Sequence, residues 1–120
     1  MSEFILYGIP NCDTVKKARK WFDAKGLSYR FHDFKKDGVD RNLLTSWLAA
    51  LGPEKLINKR GTTWRKLDEA EQARTESNPA GVLMAHPSLI KRPVISGPHG
   101  LSVGFTGAEQ EKIEEGLVSK

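Results

Sequence analysis

The apolar residues change period twice within the first 33 positions, and that change limits the possible folds more than any other feature. Phe4, Ile5, Leu6 and Tyr7 form a short continuous run ended by Gly8 and Pro10, which reads as a buried strand entering a turn. From Thr14 to Lys25 the pattern becomes helical: Val15, Ala18 and Phe22 share one face with neighbouring Trp21, and Gly26 supplies a stop. Leu27 to Asp33 returns to alternation through Tyr29 and Phe31. Strand, helix, strand in this order predicts two parallel strands joined by a right-handed crossover.

The middle of the chain reads as helix. "DRNLLTSWLAALGP" spaces Leu43, Trp47 and Leu51 four apart beside Leu44 and Leu48, with Asp40 as cap and Gly52-Pro53 as stop. A further helix starts near Thr62 or Thr63 and runs through Leu67 and "DEAEQAR"; another takes Asn78 as cap and Pro79 as its first residue. Strand signals resume at Val94-Ile95-Ser96, pass the "GPHG" turn and continue in Leu101-Ser102-Val103, which predicts an antiparallel hairpin. Thr106 with Glu109 has the form of a capping box for a last helix that buries Ile113 and Leu117. The order is that of an α/β, thioredoxin-like fold: a mixed four-stranded sheet with a helical insertion between its two halves.

At 120 residues the chain is expected to be one domain spanning 1–120, with core segments at about 1–38 and 87–118 and the insertion at about 39–86. No apolar run approaches a membrane span and no secretory leader is evident, so a cytoplasmic protein without membrane contact is expected, and a monomer. The 19 lysines and arginines against 15 acidic residues leave a net charge of +4, but the two signs are interspersed, which argues against nucleic acid as the partner. His32, His86 and His99 match no ligand spacing and no glycine pattern resembles a phosphate loop, so neither a metal nor a bound nucleotide cofactor is expected.

Cys12 is the single cysteine, so any disulfide chemistry must involve a thiol brought by another molecule. A lone cysteine is more often a small buried hydrophobe than a nucleophile. Its position argues otherwise: Cys12 falls in the turn after the first strand and at the N-terminus of the first helix, where unpaired N–H groups and the macrodipole favour a thiolate. Lys16, four residues on, is expected to bring a cation within reach, and Asp13 opposes it. Gly8, Pro10 and Asn11 read as an exposed turn that leaves the sulfur accessible. Lys17, Arg19 and Lys20 read as the solvated face of the helix. Arg92-Pro93 places a proline at the start of a strand, where it is sterically allowed.

"YGIPNCDTVKKARKWF", "LINKRGTTWRKL" and "HPSLIKRPVI" together resemble the ArsC family, which holds the ArsC-type arsenate reductases, the Spx-type transcription regulators and the YffB-like proteins. The resemblance covers nearly the whole chain and is closest to the YffB-like branch. It implies a thioredoxin-like core with a helical insertion, Cys12 as the nucleophile, and Pro93 as a cis proline facing it. Arsenate reductases of this family hold the oxyanion with three arginines, whose guanidinium groups bind oxygen pairs. Arg92 matches one of them; the second position falls at or near Asn58, beside Lys59 and Arg60, and the third near Ser102. With charge-assisted hydrogen bonds worth roughly 1.5–3 kcal/mol each, the missing contacts predict arsenate binding weaker by orders of magnitude. The second cysteine of the Spx regulators falls at Val15, which excludes an intramolecular disulfide switch.

The resemblance therefore implies a glutathione-dependent thiol oxidoreductase with a mixed-disulfide intermediate on Cys12. Lys16 is expected to stabilise the thiolate, while Asn11, Arg60, Arg92 and Pro93 form the substrate or glutathione site. No cofactor is resident and glutathione is the co-substrate; the expected partners are glutathione or a glutaredoxin and a small anionic or disulfide substrate. Two alternatives follow from the same kinship: an arsenate reductase of low efficiency, and a non-enzymatic, Spx-like regulator that binds RNA polymerase.

Overall fold

The structure, a computed structural model, describes residues 4–118, so the first three and last two positions of the expected 1–120 domain lie outside the described residues. The chain divides into two units, one within Met1–Asp37 and Arg92–Lys120 and the other Gly38–Lys91.

The first unit holds the sheet. Strand β1 (Phe4–Gly8) leads through a turn into helix α1 (Asp13–Ala24), followed by β2 (Tyr29–Asp33) and a single turn, α2 (Phe34–Asp37). Helix α1 starts one residue before the expected Thr14. It ends with Gly26 at φ 68°, whose N–H donates to the Asp23 carbonyl while Leu27 N–H donates to Phe22. That left-handed ending satisfies the last carbonyls of the helix and uses Leu27 to do so, which is why β2 begins at Tyr29 rather than at Leu27.

After the second unit the chain returns as β3 (Val94–Gly97) and β4 (Gly100–Val103). The sheet order is β2-β1-β3-β4, with β1 parallel to β2 and antiparallel to β3, and with β3 and β4 forming the expected hairpin. The C-terminal helix α8 (Gly107–Val118) is capped as the sequence predicts: the Glu109 carboxylate accepts from Thr106 N–H at 2.6 Å and Thr106 Oγ1 accepts from Ala108 N–H at 3.3 Å.

One face of the sheet carries Phe4, Leu6 and Ile95, covered by Ala18 and Phe22 of α1, by Phe105, and by Ile113 of α8. Phe4 and Phe22 meet edge to face with ring centroids 4.9 Å apart. Phe22 has no exposed surface. Truncating a core phenylalanine of this kind to alanine costs about 3–5 kcal/mol.

The second unit is helical. Helix α3 (Arg41–Leu51) starts where expected, Asp40 Oδ1 accepting from Leu43 N–H at 2.7 Å, and buries Leu44 and Trp47. A single turn, α4 (Pro53–Leu56), follows. The helix expected from Thr62 or Thr63 through "DEAEQAR" is two helices, α5 (Thr62–Lys66) and α6 (Glu69–Ser77). Asp68 causes the break: its carboxylate accepts from Glu71 N–H at 2.8 Å, so it caps a new helix instead of continuing the old one. Asn78 caps α7 (Pro79–Ala85) through Gly81 N–H at 3.2 Å, and α3 and α6 both pack on α7.

The end of this unit lies later than the expected residue 86. A 3-10 turn at Pro87–Leu89 and the residues up to Lys91 belong to it, because Asn58 N–H donates to the Leu89 carbonyl, Lys91 N–H donates to Leu56, and Ile57 and Ile90 form an antiparallel bridge. No described helix is long and apolar enough to cross a membrane.

Candidate functional site

The turn between β1 and α1 is held by its own backbone: Cys12 N–H donates to the Ile9 carbonyl at 3.3 Å, and Lys16 N–H donates to the Cys12 carbonyl at 2.9 Å. Cys12 is thus the N-cap of α1, in an extended conformation with φ −109° and ψ 127°. Serine, aspartate and asparagine are the usual residues at that position because their oxygens accept from the first N–H groups of the helix. Cys12 makes no such cap hydrogen bond with its side chain, but its sulfur stands at the helix N-terminus, where the charged form is favoured.

The sulfur is partly buried. Burial pushes the thiol pKa up and is the largest single influence on it. It is outweighed by the Val15 N–H, the Arg92 side chain as hydrogen-bond donor and as charge, and the Thr14 N–H, so the thiol lies below its ordinary value.

Arg92 comes from far along the chain. Antiparallel pairing sets Tyr7 of β1 opposite Val94 of β3, so the residues entering β3 lie beside the turn that leaves β1. The Arg92-Pro93 peptide bond is cis, Pro93 is buried, and its carbonyl accepts from Gly104 N–H at 2.9 Å. That carbonyl is therefore bonded within the sheet unit.

Three other expected residues are placed differently. Lys16 is exposed on α1, and the groups that lower the thiol pKa are the Val15 and Thr14 N–H groups and Arg92. Asn11 is exposed in the turn. Arg60 lies in the helical unit, exposed, its N–H on Asn58 Oδ1 at 3.2 Å and its carbonyl accepting from Arg65 Nη2 at 3.0 Å.

Ser102, where the resemblance sets a third arginine, is buried on β4 opposite Ile95. Its hydroxyl lies 3.0 Å from His99 Nε2 and is engaged there. His86 instead meets Glu71 Oε2 at 3.2 Å, and the His32 ring lies 5.0 Å from that of Tyr7. Among the described residues no group of three or more histidine, cysteine or acidic side chains is arranged to hold a metal ion.

Sequence reasoning missed the part played by Val15. Valine reads as a core residue from its side chain, and it is fully buried, but its N–H is among the groups that lower the thiol pKa. The available signal was positional: a residue three after an N-cap has an N–H aimed back at the cap side chain.

The chain is similar to known proteins over most of its length. The family model described as the ArsC family matches residues 7–113. An uncharacterized protein of Haemophilus influenzae is 43% identical over 107 residues, covering 88% of this chain and 94% of that one. The global transcriptional regulator Spx of Streptococcus pyogenes is 27% identical over 106 residues, covering 87% and 79%. The solved structure of the YFFB protein superposes with a TM-score of 0.82 at 44% identity, covering 90% of this chain and 96% of that one. By the extent of that family match and the likeness of sequence and fold on both sides of the cysteine turn, the chain belongs to the ArsC family.

Proposed function

We propose that the protein is a thiol oxidoreductase in which Cys12 is the nucleophile and glutathione, alone or through a glutaredoxin, is the reductant. The observation that carries this reading is the single cysteine of the chain standing at the N-cap of α1, its thiol pKa lowered by the Val15 and Thr14 N–H groups and Arg92.

The Cys12 thiolate attacks one sulfur of a disulfide, a new S–S bond forms to Cys12, and the other sulfur leaves as a thiolate that takes a proton from water. A glutathione thiolate then attacks the mixed disulfide at the substrate sulfur, and Cys12 departs as the thiolate its donors stabilise. A second glutathione reduces the released substrate–glutathione disulfide and leaves as glutathione disulfide, so both electrons come from external thiols, as a chain with one cysteine requires. Arg92 holds a carboxylate of glutathione or of an anionic substrate, and Asn11 and the main chain beside Pro93 complete the binding site within the sheet unit. Lys16 contributes to this reading only through the general positive potential of the helix.

The test is intact-protein mass spectrometry after incubation with oxidised glutathione. A single glutathione adduct on Cys12, released again by reduced glutathione and absent from Cys12→Ser, is the expected result; a protein that stays unmodified over hours at neutral pH contradicts it. The likeness to Spx favours a second reading, a regulator that binds RNA polymerase, as the family resemblance implies. Polymerase subunits retained equally by wild type and Cys12→Ser, with no turnover of glutathione disulfides, would establish that reading instead.

A further inference from the structure

Gly8 is the last residue of β1 and is buried. A Cβ built on it would lie 2.7 Å from Val15 Cγ2, closer than such atoms approach in real structures, so the space there is already filled by the valine. Val15 has no exposed surface and sits in the first turn of α1, the turn that begins at Cys12. The absence of a side chain at position 8 is thus what lets the start of α1 rest directly on the end of β1. The backbone at Gly8 does not lie in the left-handed region, so its requirement is for space rather than for conformation.

We propose that Gly8 is a positioning residue for the Cys12 thiolate, acting through Val15: its missing Cβ sets how closely the first turn of α1, which Cys12 caps, seats against the strand. The inference rests on the reading of Cys12 as a thiolate nucleophile. An alanine at position 8 pushes Val15 outward, and Val15 carries its own N–H with it. The field of a helix terminus falls off within its first turn, so a displacement of that turn is felt at the sulfur. Removing the two methyl groups of Val15 makes room for the added methyl and lets the turn settle back.

The experiment measures the rate of Cys12 alkylation by iodoacetamide from pH 5 to pH 10 in wild type, Gly8→Ala and Gly8→Ala/Val15→Ala. Circular dichroism confirms that each variant is folded. Gly8→Ala is expected to react about tenfold more slowly than wild type near pH 6, with its midpoint moved toward that of a free thiol, and the double variant to recover most of the loss. A folded Gly8→Ala with an unchanged midpoint overturns the proposal even if its stability falls, since a purely structural glycine would produce that pattern. A folded double variant whose midpoint stays at the free-thiol value overturns it too, and this comparison decides the matter if Gly8→Ala alone does not fold. A wild-type midpoint at the free-thiol value would instead defeat the reading of Cys12 itself.

Discussion

Two polar groups of the sheet unit are treated in opposite ways. Where β1 ends and β3 begins, Cys12 is partly exposed, and the Val15 and Thr14 N–H groups and the Arg92 side chain favour its charged form. Toward the β3–β4 turn, His99 and Ser102 face one another at 3.0 Å, with the His99 ring stacked on Phe4 and with Gly116 of α8 so close that a Cβ there would meet the His99 backbone at 2.7 Å. One arrangement favours charge on a reactive atom; the other pairs His99 Nε2 with the Ser102 hydroxyl and closes over the pair. The contrast separates chemistry from architecture within one small sheet, and it can be broken or sharpened by substitution at either place.

The largest effect is expected from Cys12→Ser, which removes all adduct formation and turnover while leaving thermal unfolding close to wild type, because the side chain is small and partly exposed. Residual turnover in that variant would place the chemistry elsewhere. Arg92→Ala comes next. It deletes one charge-assisted hydrogen bond to the sulfur, and after allowance for solvent at a partly exposed group the loss is about threefold to tenfold in alkylation rate below neutral pH. With substrate, its effect should fall chiefly on KM.

Ser102→Ala should do the reverse, costing about 1–3 kcal/mol of stability by leaving His99 Nε2 without its partner in a buried setting, with the Cys12 titration unmoved. A changed thiol midpoint in Ser102→Ala would erase the distinction between the two groups.

The smallest effect is one of pH. Burial, and then the nearby Lys112 charge, hold the His99 pKa below its ordinary value, with the Ile95 carbonyl opposing them. The unfolded chain therefore binds the proton more readily than the folded one, and the stabilisation from neutral His99 is complete above pH 6.5 and is lost as pH falls through the folded value. Chemical denaturation of wild type and His99→Gln from pH 7.5 to pH 4.5 should show a shallower acid loss in the variant. Equal slopes would remove His99 from the acid response.

How much of this was readable beforehand depended on distance along the chain. Asp40, Asn78, Thr106 and Glu109 each act on a residue within three positions, and each marks its helix start in the sequence. Asp68 acts over the same short range but stands in a run of charge that a continuous helix also explains, so the break it makes was hidden. The end of the helical unit at Lys91 depends on bonds from Asn58 to Leu89 and from Lys91 to Leu56, pairings that no local pattern announces.

The same division holds at the site. A cysteine at the start of a helix is visible as a pattern, and the helix-terminus argument for a thiolate needs only that pattern. A lysine four residues on was the natural local candidate for the cation. The structure gives that part to Arg92, 80 residues away, because strand register and not sequence spacing decides what lies beside the turn. Gly8 was legible as a strand end, whereas its contact with Val15 required the packing of α1 on β1.

The central claim is that the groups around Cys12 hold its thiol pKa below the ordinary cysteine value. The direct measurement is the absorbance of the thiolate near 240 nm in wild type, with Cys12→Ser as the blank, followed from acid to alkaline pH. A transition with its midpoint clearly below the ordinary cysteine value is the predicted result. A midpoint at or above that value would contradict it and return Cys12 to the role of a small side chain closing the turn.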